Sequence, residues 1–188
     1  ADDMDRVVSA LQNKIKSGSK CFWVLPRIED SDSDGLNSQN TSVETRYRAL
    51  VDIFGENRVG FVHGRMEIED REKALASFAE ETSEIVILVG TTVIEVGIDI
   101  PNVNVLIVEQ AERFGLSQLH QLRGRIGRKG SRDDLDCHCL LLTDVAKTVD
   151  RNDSAPMTRL EILRETMDGA AIAEADLMLR GAGDMLGF

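Results

Sequence analysis

Two arginines in the segment Gly-Arg-Ile-Gly-Arg, Arg125 and Arg128, have a spacing that suits phosphate chemistry. Residues three apart lie about one turn apart on a helix, so both guanidinium groups can point the same way. Arginine bonds phosphate oxygens through paired donors and keeps its charge at any working pH. The pair therefore indicates a polyphosphate site. A basic, solvated helix is the alternative that the residue types alone leave open.

The distribution of charge supports an anion site in this part of the chain. The 188 residues have 22 Lys and Arg against 33 Asp and Glu, a net charge of −11, which argues against nucleic-acid binding through bulk basicity. Between Arg113 and Arg132, however, there are six basic residues and no acidic one. We expect this basic segment to meet anions.

Two further polar segments follow short apolar runs. The first is His63, Gly64 and Arg65; the second begins with Thr91 and Thr92 and includes Gly97 and Asp99. In open α/β sheets ligands bind beyond the carboxyl ends of the strands, so we expect these two segments and the arginine segment to lie at that edge. Threonine hydroxyls and backbone N–H groups there can hold a nucleic-acid phosphate, and Asp99 could accept from a ribose hydroxyl. Taken one by one, such residues are more often ordinary parts of turns.

The apolar pattern predicts the elements that must position these residues. Helical stretches alternate with short runs in which nearly every residue is apolar, at 21–25, 59–62, 85–89, 103–108 and 139–142. Such runs are typical of parallel strands buried on both faces. We predict an α/β fold with a doubly wound, mostly parallel sheet over residues 1–145. Beyond Asp144 the pattern is helical only, so residues 146–188 are predicted to form a helical hairpin, with Thr158 and Glu161 as a capping box.

An acidic stretch and the cysteines set further limits. Residues 29–45 contain five acids and no base, which predicts a flexible surface insertion, with Thr41 and Glu44 capping the following helix.

The three cysteines are odd in number and lack a C-x-x-C pair, so we expect no disulfide framework, no metal site and a reducing compartment. No apolar run approaches the roughly 20 residues that span a bilayer, so we expect no membrane association.

Three segments together resemble a known family. His-Gly-Arg-Met at 63–66, Thr-Thr-Val-Ile-Glu-Val-Gly-Ile-Asp-Ile-Pro at 91–101 and the 17 residues from Glu112 to Arg128 resemble the second motor domain of superfamily 2 helicases, most closely the RecG branch. The segment from Arg159 to Gly187 resembles the helical hairpin that RecG shares with transcription-repair coupling translocases. The resemblance covers nearly the whole chain and implies a RecA-like C-terminal lobe.

The resemblance implies a role for each matching residue. Arg125 and Arg128 would be arginine fingers that face ATP on a partner domain. Gln121, Gly97 and Asp99 would border the nucleotide. The residues implied to contact DNA are His63, Gly64, Arg65, Thr91 and Thr92. The residues implied to couple the motor to DNA are Arg123, Arg159, Arg180, Gly181 and Gly183; we expect Arg123 itself to pair with an acid or a DNA phosphate.

The cofactor and the partners follow from the same resemblance. The sequence has no G-x-x-x-x-G-K-[ST] and no acidic magnesium box, so ATP with Mg²⁺ would be bound mainly by a first motor lobe of the same parent chain. The other partners would be branched or double-stranded DNA and a DNA-binding module, in a monomer. The protein would work in the cytoplasm or nucleoid of a bacterium, or in an organelle or nucleus of a eukaryote.

Three alternatives remain open at this stage. A transcription-repair coupling translocase is the alternative within the family. A dinucleotide-binding oxidoreductase domain is the alternative from another class, but the sequence lacks the glycine fingerprint between the first strand and the first helix. A non-enzymatic acidic interaction domain is the third.

Overall fold

The computed structural model describes residues 2–26, 43–64, 66–91, 100, 103–127, 136–144 and 155–180. The helices are α1 (Asp2–Lys16), α2 (Val43–Phe54), α3 (Ile68–Ala79), α4 (Leu116–Arg123), α5 (Ala155–Glu165) and α6 (Gly169–Arg180). The strands are β1 (Lys20–Val24), β2 (Val59–Val62), β3 (Ile87–Gly90), β4 (Val103–Val108) and β5 (His138–Leu141). Most of the predicted acidic insertion, including Thr41, lies outside the described residues.

The five described strands form one parallel sheet in the order β2-β3-β1-β4-β5. The predicted α/β fold with a parallel sheet is therefore confirmed. Two strands match the predicted runs residue for residue, and the other three are shifted by one or two residues. Such shifts arise because an apolar run marks burial, whereas a strand is bounded by its hydrogen bonds.

Two hydrophobic cores cover the two faces of the sheet. Along β1 the side chains alternate: Phe22 and Val24 belong to the core under α3, α4, α5 and α6, while Cys21 and Trp23 belong to the core under α1 and α2. This alternation is the two-residue period of a strand. Because helices cover both faces of the sheet, nearly every strand residue is apolar. The strands could therefore be predicted from apolar runs in the sequence.

Lys20 is a buried charged residue that ties α3 to the sheet. Its Nζ donates to the carbonyl oxygens of Phe78 and Glu80, each at 2.6 Å, at the C-terminal end of α3. A cation at this end of a helix satisfies carbonyls that have no partner within the helix. Burial lowers the pKa of Lys20, and the charges of Glu81 and Glu80 oppose that shift.

The C-terminal helices pack on the sheet domain as well as on each other. Leu160, Leu163 and Ile172 lie in the same buried cluster as Leu116 and Leu119 of α4. The predicted capping box at Thr158 is wrong, because α5 begins at Ala155 and Thr158 lies inside it. Pro156 explains the earlier start, since proline is well tolerated in the first turn of a helix, where its missing N–H is not needed. The predicted boundary at residues 145 and 146 stays a prediction.

No helix in the described ranges is long and apolar enough to cross a bilayer.

Candidate functional site

Polar residues meet at the carboxyl edge of the sheet. The register pairs Val62 of β2 with Gly90 of β3, so the next residues, His63 and Thr91, leave the sheet side by side. The His63 ring stacks on Phe61, with ring centroids 5.9 Å apart and an angle of 25° between the planes. Gly64 is exposed. The structure thus brings together three of the predicted DNA contacts, while Arg65 and Thr92 lie outside the described residues.

The arginine segment follows α4 but is not part of it. The helix begins after Gly115, whose N–H donates to Oε1 of Gln118 at 3.0 Å, and it ends at Arg123. We expected Arg125 and Arg128 to lie on this helix, one turn apart; Arg125 is not on it, and the position relative to Arg128 stays a prediction. Gly124 is the C-cap of the helix, and Gly127 beyond it has a φ of +67°, a conformation that glycine adopts at little cost. Arg128 lies outside the described residues.

This turn lies at the other end of the sheet from His63 and Thr91. The N–H of Gly127 donates to the carbonyl of Val103 at 3.0 Å, and Val103 is the first residue of β4. A helix that follows a parallel strand runs back along the sheet, so its C-terminal end lies near the amino ends of the strands. The strand-end rule led us to expect Arg125 at the carboxyl edge. The turn that contains the half-buried Arg125 lies at the opposite edge instead. Among the residues that the structure describes, the candidate site residues therefore lie at two separate places, one at each end of the sheet.

Gly127 is predicted to be indispensable to this turn for two reasons. Its φ is strained for any other residue, and a Cβ there would lie 2.5 Å from Sγ of Cys137. We expect Gly127→Ala to lower the free energy of unfolding through backbone strain of about 1–3 kcal/mol and through overpacking that adds about 1–3 kcal/mol. Equilibrium unfolding in urea measures the sum.

Gly55 supplies a control that has a positive φ but no crowding. Its φ is +94°, but nothing lies within 4 Å of the position its Cβ would take. Gly55→Ala should therefore show strain alone. In a Cys137→Ala background, the cost of Gly127→Ala should fall, because the overpacking is relieved, whereas the cost of Gly55→Ala should not change. An unchanged cost of Gly127→Ala there would show that Cys137 is not what restricts the turn.

Arg123 joins α4 to the C-terminal helices. Its Nη1 donates to the carbonyl oxygens of Leu163 at 2.6 Å and Thr166 at 2.9 Å, at the end of α5. We expected an acid or a DNA phosphate as its partner, and the partners are instead backbone carbonyls. The C-terminal end of a helix carries partial negative charge and unpaired carbonyls, so a guanidinium group is well suited to it. The other implied coupling residue with a described side chain, Arg159, is half-buried on α5.

A second contact joins α4 to α6. The hydroxyl of Ser117 donates to Oδ2 of Asp176 at 2.6 Å, and Asp176 is buried. The Asp168 carboxylate accepts from the N–H of Ala170 at 2.9 Å, where α6 begins. Hydrogen bonds from Ser117 near the start of α4 and from Arg123 at its end therefore hold α4 against the hairpin. The side chain of Arg180 lies outside the described residues, as do Gly181 and Gly183.

Comparison with known proteins identifies the domain. The pattern of the helicase conserved C-terminal domain matches residues 4–130. The chain belongs to the helicase C-terminal domain family. This helicase domain is 42% identical over 188 residues to the ATP-dependent DNA helicase RecG of Escherichia coli K12, a match that covers 99% of this chain and 24% of that protein. It is 40% identical over 187 residues to RecG of a Synechocystis strain, covering 100% of this chain and 21% of the relative.

Solved structures agree with this assignment. The structure of RecG bound to a three-way DNA junction matches with a TM-score of 0.72 and 36% identity, over 98% of this chain and 22% of that one. The C-terminal part of the Fun30 ATPase domain, at 15% identity and a TM-score of 0.55, covers 93% of this chain and 51% of that one and shares the fold. The RecA-like lobe implied by the resemblance is thereby confirmed. The helicase domain spans about a quarter of the length of the RecG proteins that it matches.

The hairpin of the helicase domain adds to the likeness to RecG. The helicase family pattern ends at residue 130, whereas the matches to RecG continue through the chain to include α5 and α6. The predicted resemblance to the RecG branch is confirmed over the whole chain.

The helicase domain has donors that suit a nucleotide phosphate. Gln121 is exposed near the end of α4, and Arg125 lies in the turn that follows. Amide and guanidinium groups both donate to phosphate oxygens. Gly97, Asp99 and Arg128 lie outside the described residues. Among the residues that are described, no group of three or more His, Cys, Asp or Glu side chains could hold a metal ion.

One buried cluster was missed in the sequence. Glu109 follows β4 and accepts from the Trp23 indole N–H and from Nη2 of Arg46 at 2.8 Å; Nε of Arg46 lies 2.5 Å from its other oxygen. The Arg46 guanidinium also lies over the Trp23 ring, 5.5 Å from the centroid. The available signals were an acid directly after a six-residue apolar strand and an indole N–H within one. Both groups need a partner when buried.

Proposed function

We propose that this domain is the second motor lobe of an ATP-dependent DNA helicase that unwinds or remodels branched DNA. The observation that carries the proposal is the likeness to RecG over the whole chain, hairpin included. In the solved relative, RecG is bound to a three-way DNA junction. The helicase family match replaces the oxidoreductase and acidic interaction-domain alternatives. The transcription-repair coupling translocase remains the second candidate, because the hairpin resembles that of both proteins.

The carboxyl edge is the proposed DNA surface. His63, Gly64 and Thr91 lie together there, and Arg65 and Thr92 are adjacent to them in the sequence. Imidazole, hydroxyl and backbone N–H groups donate to phosphate oxygens, and such contacts hold a protein on DNA without reading its sequence.

The turn after α4 is the proposed nucleotide surface. Arg125 and Arg128 would be the arginine fingers, and Gln121, Gly97 and Asp99 would border the nucleotide. ATP with Mg²⁺ supplies the phosphoryl group that is hydrolysed, and it would be bound mainly by the first motor lobe. That lobe and a DNA-binding module belong to the same parent chain, which acts as a monomer in the compartment that holds the DNA.

The hairpin is proposed to link these two activities. It contacts α4, the helix that leads directly into the arginine turn, through Arg123 and Ser117. A movement of the nucleotide surface would therefore move α5 and α6 with it. The residues proposed to transmit that movement to DNA are Arg159, Arg180, Gly181 and Gly183.

We expect Arg180→Ala to separate ATP hydrolysis from unwinding. In the intact parent protein, DNA-stimulated ATP hydrolysis should stay near the wild-type rate, while fork unwinding should fall by about tenfold or more. The reason is that a coupling residue affects the step in which hydrolysis drives unwinding and does not affect hydrolysis itself. Both rates and the melting temperature should be measured on one preparation. Proportional loss of both activities with a lower melting temperature would mean that Arg180 only stabilises the fold.

The choice of substrate tests the proposed function itself. The intact protein should unwind forked or three-way DNA with ATP and should act poorly on linear duplexes of the same length and composition. Displacement of a stalled RNA polymerase, with no preference for branched DNA, would favour the transcription-repair alternative. Hydrolysis of ATP that is unaffected by any DNA would contradict both.

A further inference from the structure

His120 lies where three helices meet. It is on α4, its Nδ1 is 3.1 Å from Nη2 of Arg123, and its Nε2 would be 3.2 Å from a Cβ placed on Gly169 at the start of α6. Through Arg123 it is also linked to the end of α5, at Leu163 and Thr166. The imidazole therefore fills the space between the guanidinium group and the start of α6.

The contact between the two side chains has a defined direction. Arginine has five donors and no acceptor, and it stays protonated in proteins. In a hydrogen bond between the two side chains, Nδ1 is therefore the acceptor. The two terminal nitrogens of the Arg123 guanidinium group are thus held separately. Nη1 donates to the carbonyls at the end of α5, and Nη2 contacts His120.

Other polar groups near this part of the hairpin have different contacts or are weak acceptors. On β5, burial raises the pKa of Cys139 to about 11, and the Arg123 charge opposes that shift, so Cys139 is a neutral thiol at working pH. Just before α6, the Asp168 carboxylate accepts from the N–H of Ala170. At the end of α5 the carbonyls contact Nη1. The imidazole is the group in contact with Nη2, and together with the carbonyls at Nη1 it restricts the rotation of the guanidinium plane.

We infer that His120 is a positioning residue for the motor: it orients Arg123 so that the nucleotide end of α4 and the hairpin move as one unit. The inference rests on the proposed function, and it deepens it by naming the residue that sets the coupling. Gln121, the next residue, is exposed, whereas His120 is half-buried against the hairpin. Loss of the acceptor should thus loosen the hairpin and leave the nucleotide surface in place.

Two substitutions separate the acceptor from the volume of the side chain. In His120→Asn the carboxamide oxygen is the same number of bonds from Cα as Nδ1, so an acceptor for Arg123 is kept. In His120→Leu a methyl group takes that place, so much of the volume is kept and the acceptor is lost. Glu161→Gln, an exposed change on α5, is the control for any substitution near the hairpin.

The test measures fork unwinding per ATP hydrolysed by the intact parent protein. We expect His120→Leu to lower that ratio by about tenfold and His120→Asn to keep it near wild type, in the range seen for residues that modulate coupling. Three outcomes would overturn the inference. The first is an equal fall of the ratio in both variants, and the second is a wild-type ratio in both. The third is a proportional loss of hydrolysis and unwinding together with a lower melting temperature.

Hydrogen exchange of residues 163–172 distinguishes failure of this inference from failure of the proposed function. His120→Leu should speed amide exchange there, and His120→Asn should not, whatever the protein does with ATP. If the wild-type protein shows no DNA-dependent hydrolysis, the proposed function fails and the exchange result alone decides whether His120 positions the hairpin. Identical exchange in wild type and His120→Leu would overturn that role.

Discussion

Replacing Arg125 with Ala in the intact motor is expected to lower the DNA-stimulated rate of ATP hydrolysis by about 10³- to 10⁵-fold, the range for arginine fingers in other phosphoryl-transfer proteins. A finger meets charge that develops in the transition state, so nucleotide binding should change far less than turnover. Arg128→Ala should behave in the same way. The measurement is the turnover rate at saturating ATP together with the dissociation constant for a nucleotide analogue.

Arg164→Ala is the matched control for the loss of a cation. Its side chain is 79% exposed on α5 and lies 4.0 Å from the exposed carboxylate of Glu165. Turnover of this variant should stay near wild type. An Arg125→Ala protein that bound ATP poorly but turned over normally when saturated would show that Arg125 serves in binding and is not a finger.

The second large effect is expected at Glu109. Glu109→Ala leaves the Trp23 indole and the Arg46 guanidinium without their buried acceptor, and breaking a buried ion pair in this way costs about 3–5 kcal/mol. We expect the free energy of unfolding, measured by urea denaturation, to fall by that amount. Glu109→Gln should fall less, because the amide oxygen can still accept from Trp23.

Glu44→Gln controls for the loss of an exposed carboxylate near Arg46 in the sequence. Glu44 is 62% exposed and lies 4.0 Å from Arg48, one turn along α2. Exposed pairs of this kind contribute about 0.3–0.5 kcal/mol. If Glu109→Ala cost no more than Glu44→Gln, the buried cluster would not be what holds α2 against the sheet.

The sheet could be predicted from the sequence because its strands are buried on both faces. Each strand then forms an apolar run, and Val59–Val62 and Val103–Val108 match their predicted runs completely. The end of α4 could not be predicted in the same way. The apolar residues Leu119, Leu122 and Ile126 continue the helical spacing past Arg123, while the backbone turns at Gly124 and Gly127.

The remaining differences come from contacts between distant parts of the chain. Arg123 bonds carbonyls 40 and 43 residues away, and Glu109 bonds Arg46 and Trp23 at separations of 63 and 86. A spacing pattern reports neighbours on one element and carries no information about such pairs. The same limit explains why the strand-end rule misplaced Arg125: the direction in which α4 returns along the sheet is set by its packing.

The most direct test of the second-lobe assignment is ATP hydrolysis by these 188 residues, with and without forked DNA, beside the same assay on the intact parent protein. We expect no turnover above background for the 188 residues, because the proposed function assigns the phosphate-binding loop and the magnesium ligands to the first lobe. We expect DNA-stimulated turnover for the intact protein. Sustained DNA-stimulated hydrolysis by the 188 residues alone would contradict the second-lobe assignment.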